Sequence, residues 1–597
     1  MTWAQSCASS SERETAVNLN RKGIEVKTLN RIAPNNRIHP LFIAAILGVL
    51  ATGCTTYQQQ NKVVLYWRQG NLTNAVIEAT KQADANAKNK DAIIWRLEQG
   101  AVLRANGQYE DSNKAFDMAQ DKIDDYAQKA KVRLGHEAGA LLSNQANLDY
   151  EGRFYDGIML NTYEALNYLA LGEPDKARPE LIRAYQRQQD AVEENKKRIE
   201  KIQEAAASQT NSTAIKKAQN DSKFQAAIQS NFTYLDNLKA YADYVNPFTV
   251  YLDGLFFMAN AADASDLERA HKSLERVAGF APDNAYVKQD LAMADDLIAG
   301  KPLTPTTYVI FETGSAPERG QIRIDIPIIV TKVSYVGAAF PTLQMQKNYL
   351  PSLTVTADSP IIMANNSVTT ATSTVTTAED TNATAASATT VTGGTNTTVT
   401  STTTTTGDTN AAVTSKTTTT SGTNTTVIST TTATGDTNST VTSTTTTGTT
   451  ATVMTGSTTA TTSPIASMDN IIGLDFKNEL PIIITKTIAS TVTKAVASYA
   501  VNNAASQQSD IAGLFAQIGT AIYQAAVNIA DERTWTTLPK EFQVCRFSTP
   551  PDRKVVLETP DGIQKIPVTI GDGTINIIYV KSISPGTPLL VTQMKLK

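Results

Sequence analysis

The sequence predicts an α+β fold, with paired helices in the first half and a mixed domain of strands and helices in the second. Three observations predict it. Apolar residues recur at helical spacing from about residue 62 to 300, punctuated by glycines. At Lys301–Pro305 the period changes to the alternating, β-branched character of strands. Residues 353–464 are dominated by Thr, with Ser, Ala, Val, Gly and Asn, and interrupt the second domain rather than build it.

At 597 residues the chain can hold several cores. Its net charge of −4 offers no basic field to draw in nucleic acid. Cys7, Cys54 and Cys545 are its only cysteines, and His39, His136 and His271 lie far apart with no Cys or His at ligand spacing. No metal site and no cofactor are expected. Neither a Gly-rich phosphate loop nor a nucleophile motif is present, so no catalytic residue is assigned.

Taken in order, the chain opens with an extension and leader, residues 1–53. Leu41–Cys54 begins as an uncharged apolar run, shorter than the roughly 20 residues a spanning helix needs. With Arg31 and Arg37 before it and small residues after it, it has the proportions of a secretory h-region. Leu50-Ala51-Thr52-Gly53-Cys54 resembles a bacterial lipobox, although Ala51 stands where Leu is usual. That resemblance implies cleavage before Cys54 and acylation of its sulfur. An ordinary signal peptide with Cys54 incidental is the alternative. No methionine falls between Met1 and Met118, so translation from Val26 or Leu29 is the expected start.

A polar tether, residues 54–61, leads to the helical domain, 62–300. Gly100, Leu103, Gly107, Tyr109, Ser112, Phe116 and Ala119 resemble the tetratricopeptide signature. Weaker copies are Tyr66, Gly70, Leu72, Ala75 and Ala79, then Tyr168, Gly172, Pro174, Ala177, Leu181 and Ala184. The last is Gly254, Phe257, Ala270, Leu274, Val277 and Pro282. These copies predict a tetratricopeptide-like solenoid of helical hairpins. Residues 186–244 are rich in helix formers, broken at Ser208–Thr213, and predict a protruding hairpin that serves as a spacer or a partner-binding arm.

The C-terminal α+β domain falls in two parts, 301–352 and 465–597. Strands are predicted at Thr307–Thr313 and Gln321–Val336, with Gly314–Gly320 as the loop between them. In the insertion, Asn396, Asn410, Asn424 and Asn438 recur every 14 residues. So little apolar surface cannot offset the entropy of ordering, so disorder is expected, with strands of a stalk as the alternative. Helix returns from Met468, and the charge-free run Ile511–Ala530 reads as a buried core helix or a membrane helix. Five strands follow from Phe542 to Met594, with hairpin turns expected at Pro560–Gly562 and Gly571–Gly573.

The leader, Asn161–Ala184, Asn246–Leu255, Ala316-Pro-Glu-Arg319, Ile324-Asp-Ile-Pro327 and Thr534-Trp-Thr-Thr-Leu-Pro539 together resemble an uncharacterised bacterial lipoprotein family with tetratricopeptide-like repeats. The resemblance carries no activity. It implies a lipid anchor at Cys54, and Thr55 in place of an aspartate favours the outer membrane, facing the periplasm. The expected role is a scaffold that binds an envelope protein or peptide. Alternatives are an envelope enzyme sited in the C-terminal domain and an adhesin or stalk that works through the Thr-rich segment. Candidate binding residues are Tyr109, Tyr163 and Tyr168 on the solenoid. In the C-terminal domain they are Glu318 and Arg319, with Arg323 and Asp325 nearby, and Arg533, Trp535 and Lys540.

Overall fold

Helices form where the sequence copies fall. In the computed structural model, α1 (Thr55–Arg68) turns back into α2 (Leu72–Ala85), and α3 (Ala92–Ala105) into α4 (Tyr109–Val132). Helix α5 (Phe154–Ala170) turns back into α6 (Pro174–Ala207). The turn glycines Gly70, Gly107 and Gly172 have φ of 69°, 77° and 74°, a region that glycine enters without strain. Within α3, a Cβ on Gly100 would fall 2.4 Å from the buried Phe116 ring of α4, so glycine there permits the close approach of the two helices.

The structure describes residues 55–132, 145–208, 212–239, 241, 244–329, 333–357, 369–378, 384–393, 396–406, 412–421, 424–434, 440–448, 458–506 and 529–597. The leader with Cys54, the alternative starts, His136 and most of Ile511–Ala530 lie outside the described residues.

Helix α6 continues well into the expected arm, but the return limb is not one helix. It breaks into α7 (Ser212–Gln219), α8 (Ser222–Phe232) and a 3-10 turn at Thr233–Asn237. Asp221 causes one break: its carboxylate accepts the Phe224 N–H at 2.9 Å and caps α8. The arm's inner face, including Ile202, Ile215, Phe224 and Phe232, is buried. Helix α9 (Pro247–Ala259), opened by the Asn246 cap, pairs with α10 (Ala264–Phe280), and α11 (Ala285–Ile298) closes the helical half.

Strand β1 (Thr306–Thr313) matches expectation. The predicted strand Gln321–Val336 is instead a hairpin, β2 (Glu318–Ile329) against β3 (Val333–Gln344), antiparallel with Ile329 opposite Val333. In the sequence, residues 330–332 contain no Gly, Pro or Asn, so no turn signature divides the two strands. This hairpin packs on the arm, Phe224 lying 6.1 Å from Phe340 between ring centroids.

The insertion is bracketed by β4 (Thr354–Ala357) and, after six strands, β11 (Thr458–Thr461), which pair antiparallel with Ala357 opposite Thr458. Between them the described residues form β5 (Thr369–Ala378), β6 (Thr384–Gly393), β7 (Asn396–Thr406), β8 (Ala412–Ser421), β9 (Asn424–Thr434) and β10 (Thr440–Gly448). They alternate between two parallel sheets, β5-β7-β9 and β6-β8-β10, whose neighbours are offset by 28 residues. Each 14-residue sequence repeat thus holds one strand, and two successive repeats, one strand in each sheet, make one 28-residue coil.

Strand β12 (Ser463–Ser467) leads into α12 (Met468–Ser506), which keeps Pro481 in its interior. Then come β13 (Glu541–Ser548), β14 (Lys554–Glu558), β15 (Lys565–Thr569), β16 (Ile575–Ser582) and β17 (Leu590–Lys595). A central sheet, β12-β13-β1-β16-β17, pairs β1 antiparallel to β13 and parallel to β16. An outer sheet runs β11-β4-β14-β15. Pro560–Gly562 closes the β14–β15 hairpin as expected, whereas Gly571–Gly573 does not make one; it carries the chain from the outer sheet to the central sheet.

Strand alternation sorts the central sheet's two faces. Tyr308, Ile310, Phe542, Val544 and Ile577 join the helices in one apolar core that runs from Val63 to Leu596. Val309, Phe311, Cys545, Phe547 and Ile578 face the outer sheet in a second core. Gly100→Val is expected to lower stability by about 2–3 kcal/mol in urea titration, through overpacking against Phe116. Gly107→Ala meets no neighbour within 4 Å and should cost only the left-handed strain, about 1–2 kcal/mol. A Gly100→Val chain as stable as the parent would contradict the packing.

Candidate functional site

Helix α3 buries Trp95, Leu97 and Val102, and among them one carboxylate, Glu98, only 1% exposed. Glu98 accepts the Thr536 N–H and hydroxyl at 2.6 Å each and the Thr537 hydroxyl at 2.8 Å. These bonds fix the Thr534–Pro539 loop and lay Trp535 against Phe116 and Tyr163, at 5.8 and 5.9 Å between centroids. Burial pushes Glu98 up to about 7, even against those hydrogen bonds.

Two more carboxylates join helices to the central sheet. Glu312 on β1 accepts the hydroxyls of Tyr163 on α5 at 2.8 Å and Tyr579 on β16 at 2.5 Å, and pairs with the Lys581 ammonium. The Arg104 guanidinium lies over both tyrosine rings, at 5.2 and 4.8 Å. Burial opposes the charge on Glu312, but Lys581 and Arg104 outweigh it and hold the carboxyl below its usual range. Asp290 on α11 accepts Tyr251 of α9 and Tyr308 of β1, both at 2.7 Å, and pairs with Arg546 of β13 at 3.2 Å. Burial raises Asp290 despite these partners.

A chain of ion pairs runs from Arg319 on β2 to Glu479 on α12 at 2.8 Å, and from Glu479 to Arg153 at 2.5 Å. It continues from Arg153 to Asp531 at 3.7 Å, Asp531 to Arg533 at 2.8 Å, and Arg533 to Asp91 at 3.0 Å. Asp156 sits beside it and accepts the Tyr150 hydroxyl at 2.5 Å. Burial lifts Asp156 to about 6, and burial with Glu479 nearby lifts Asp475 to about 7. Glu479 stays well below the usual range because Arg153 and Arg319 outweigh its burial.

The sequence candidates are distributed through this seam unevenly. Arg319 and Arg533 both belong to the ion-pair chain, with Glu479, Arg153 and Asp531 between them, and Trp535 is buried with its ring N–H donating to Thr537 at 2.9 Å. Tyr163 is 1% exposed, so it does not line an open groove with Tyr109 and Tyr168. Tyr109 bonds Thr592 at 2.8 Å, and the Lys176 ammonium lies 5.7 Å from the Tyr168 ring centroid. Glu318 pairs with Arg68 and Lys540 with Asp469, while Arg323 and Asp325 are exposed on β2. Sequence reasoning missed Glu98, Glu312, Asp290, Arg104, Arg153 and Glu479. A signal existed for one of them: Glu312 is the lone charge in the apolar, β-branched run Thr306–Thr313, and a buried charge needs a partner.

Glu98, Glu312, Asp290, Arg319 and Arg533 are each bonded to another part of the same chain. Among the described residues no group of three or more His, Cys, Asp or Glu could hold a metal ion. Cys545 is buried, and burial pushes its thiol up to about 12, which leaves it unreactive.

A carboxyl whose folded pKa lies above its unfolded value stabilises the fold only while protonated. The Asp475 contribution is therefore complete below its ordinary 3.8 and is lost as pH rises through about 7. Asp475→Asn should raise the urea midpoint at pH 8 and flatten the decline between pH 4 and 8, by on the order of 2–4 kcal/mol. Parallel pH profiles for parent and variant would contradict this. Comparisons with protein-family models, with curated proteins and with solved structures find no match to this chain.

Proposed function

We propose that the chain is a lipid-anchored scaffold of the bacterial cell envelope, held in the outer membrane by Cys54 and facing the periplasm. Its helical hairpins, of tetratricopeptide-like character over residues 62–300, bind an envelope protein or peptide by their outward surfaces. The observation that supports a binding role over catalysis is that Glu98, Arg319, Arg533 and Trp535 are each engaged by this chain's own residues. An enzyme sited at Glu318, Arg319 and Arg533 would need those groups free in a cleft, and Arg319 has a side chain only 1% exposed.

A second reading, a stalk or adhesin, is favoured by the 28-residue register of the Thr-rich strands. In that reading residues 353–464 are a repeat-built extension rather than a disordered insertion, and the helical body is its base.

The anchor is tested first. The three acyl chains expected on a mature lipoprotein cysteine hold a chain firmly, at about 0.8 kcal/mol per buried CH₂. Cys54→Ser should lose the acyl mass and leave the membrane pellet for the soluble fraction. If that variant stays membrane-bound with unchanged mass, Cys54 is not the anchor.

A further inference from the structure

The parallel register of the insertion has ends. Among the described residues, β5 and β9 each pair on one side only, and so do β6 and β10. We propose that the last coil of one chain, β9 with β10, pairs with the first coil of a second copy, β5 with β6. Copies then join head to tail.

Each internal pairing already joins one repeat to its likeness. Asn396 lies opposite Asn424, Thr397 opposite Thr425, Val399 opposite Val427 and Ser401 opposite Ser429. Strand β7 pairs the same way with β5, setting Thr397 opposite Thr369 and Ser401 opposite Ser373. A strand that accepts its repeat neighbour within the chain presents the same backbone pattern to that repeat on another chain.

Nothing in the terminal strands discourages this. Thr369–Ala378, Thr384–Gly393, Asn424–Thr434 and Thr440–Gly448 contain no charge and no proline, the devices that normally blunt an edge. Lys416 in β8, the single charge in the six strands, lies in an internal strand. The contact uses two different surfaces, so it does not close on itself, and growth is open-ended.

This inference rests on the reading of the insertion as ordered strands, and the test separates the two. Full-length chain carrying Cys54→Ser is followed by sedimentation across a concentration series. The expected result is a mass that grows past the dimer, with aggregates that diffract at the ~4.7 Å strand spacing.

Consecutive residues turn their N–H groups to opposite edges, so Thr430→Pro with Thr431→Pro removes an outward donor from β9 whichever way it faces. That pair should leave the chain monomeric with an unchanged circular-dichroism melt of the helical body. Removal of 397–424, one whole coil, keeps both ends and should keep the association. A parent chain that stays monomeric, or a proline variant that grows like the parent, overturns the inference. Rapid hydrogen exchange throughout 369–448 sinks the underlying reading as well, whereas slow exchange in a monomer sinks only the pairing.

Discussion

Three buried carboxylates carry the architecture: Glu98 on α3, Glu312 on β1 and Asp290 on α11. Each is at most 1% exposed, and each is bonded across the boundary between the helices and the C-terminal half. A carboxylate at such a place has no water to fall back on, so separating the layers would leave it unsatisfied. The apolar core supplies most of the driving force, but apolar contacts alone tolerate sliding. The carboxylates specify one register of helices against sheet, because each accepts from donors fixed on separate elements.

The seam also decides what the helical pairs can do. Trp535 lies against Phe116 and Tyr163 of the helical pairs, and Glu98 holds the loop that delivers it. The outer sheet covers the other face of the central sheet, and Cys545 is sealed between them. The helices and arm keep an exposed outer surface.

Much of this was legible in the sequence. The turn glycines Gly70, Gly107 and Gly172 marked helix pairs because a left-handed turn needs them. The alternation in Thr307–Thr313 marked β1, and Asp561-Gly562 marked a real hairpin. The failures have a common cause: turn chemistry is local and pairing is not. Gly571-Asp572-Gly573 carries the same local signal as Asp561-Gly562, yet its flanking strands belong to different sheets. Between β2 and β3 the sequence carries no Gly, Pro or Asn to divide one strand from the next. The site residues were harder still, since the partners of Glu98 lie 438 and 439 residues along the chain.

If the seam makes helices and sheet one cooperative body, they must open together. Native-state hydrogen exchange measures this directly, through the opening free energies of amides in α3 and α5 against those in β1 and β16. The account predicts the same free energy for the slowest amides in all four elements, falling with denaturant along one common slope. Helix amides that exchange at a distinctly lower free energy, while the sheet stays closed, would contradict it.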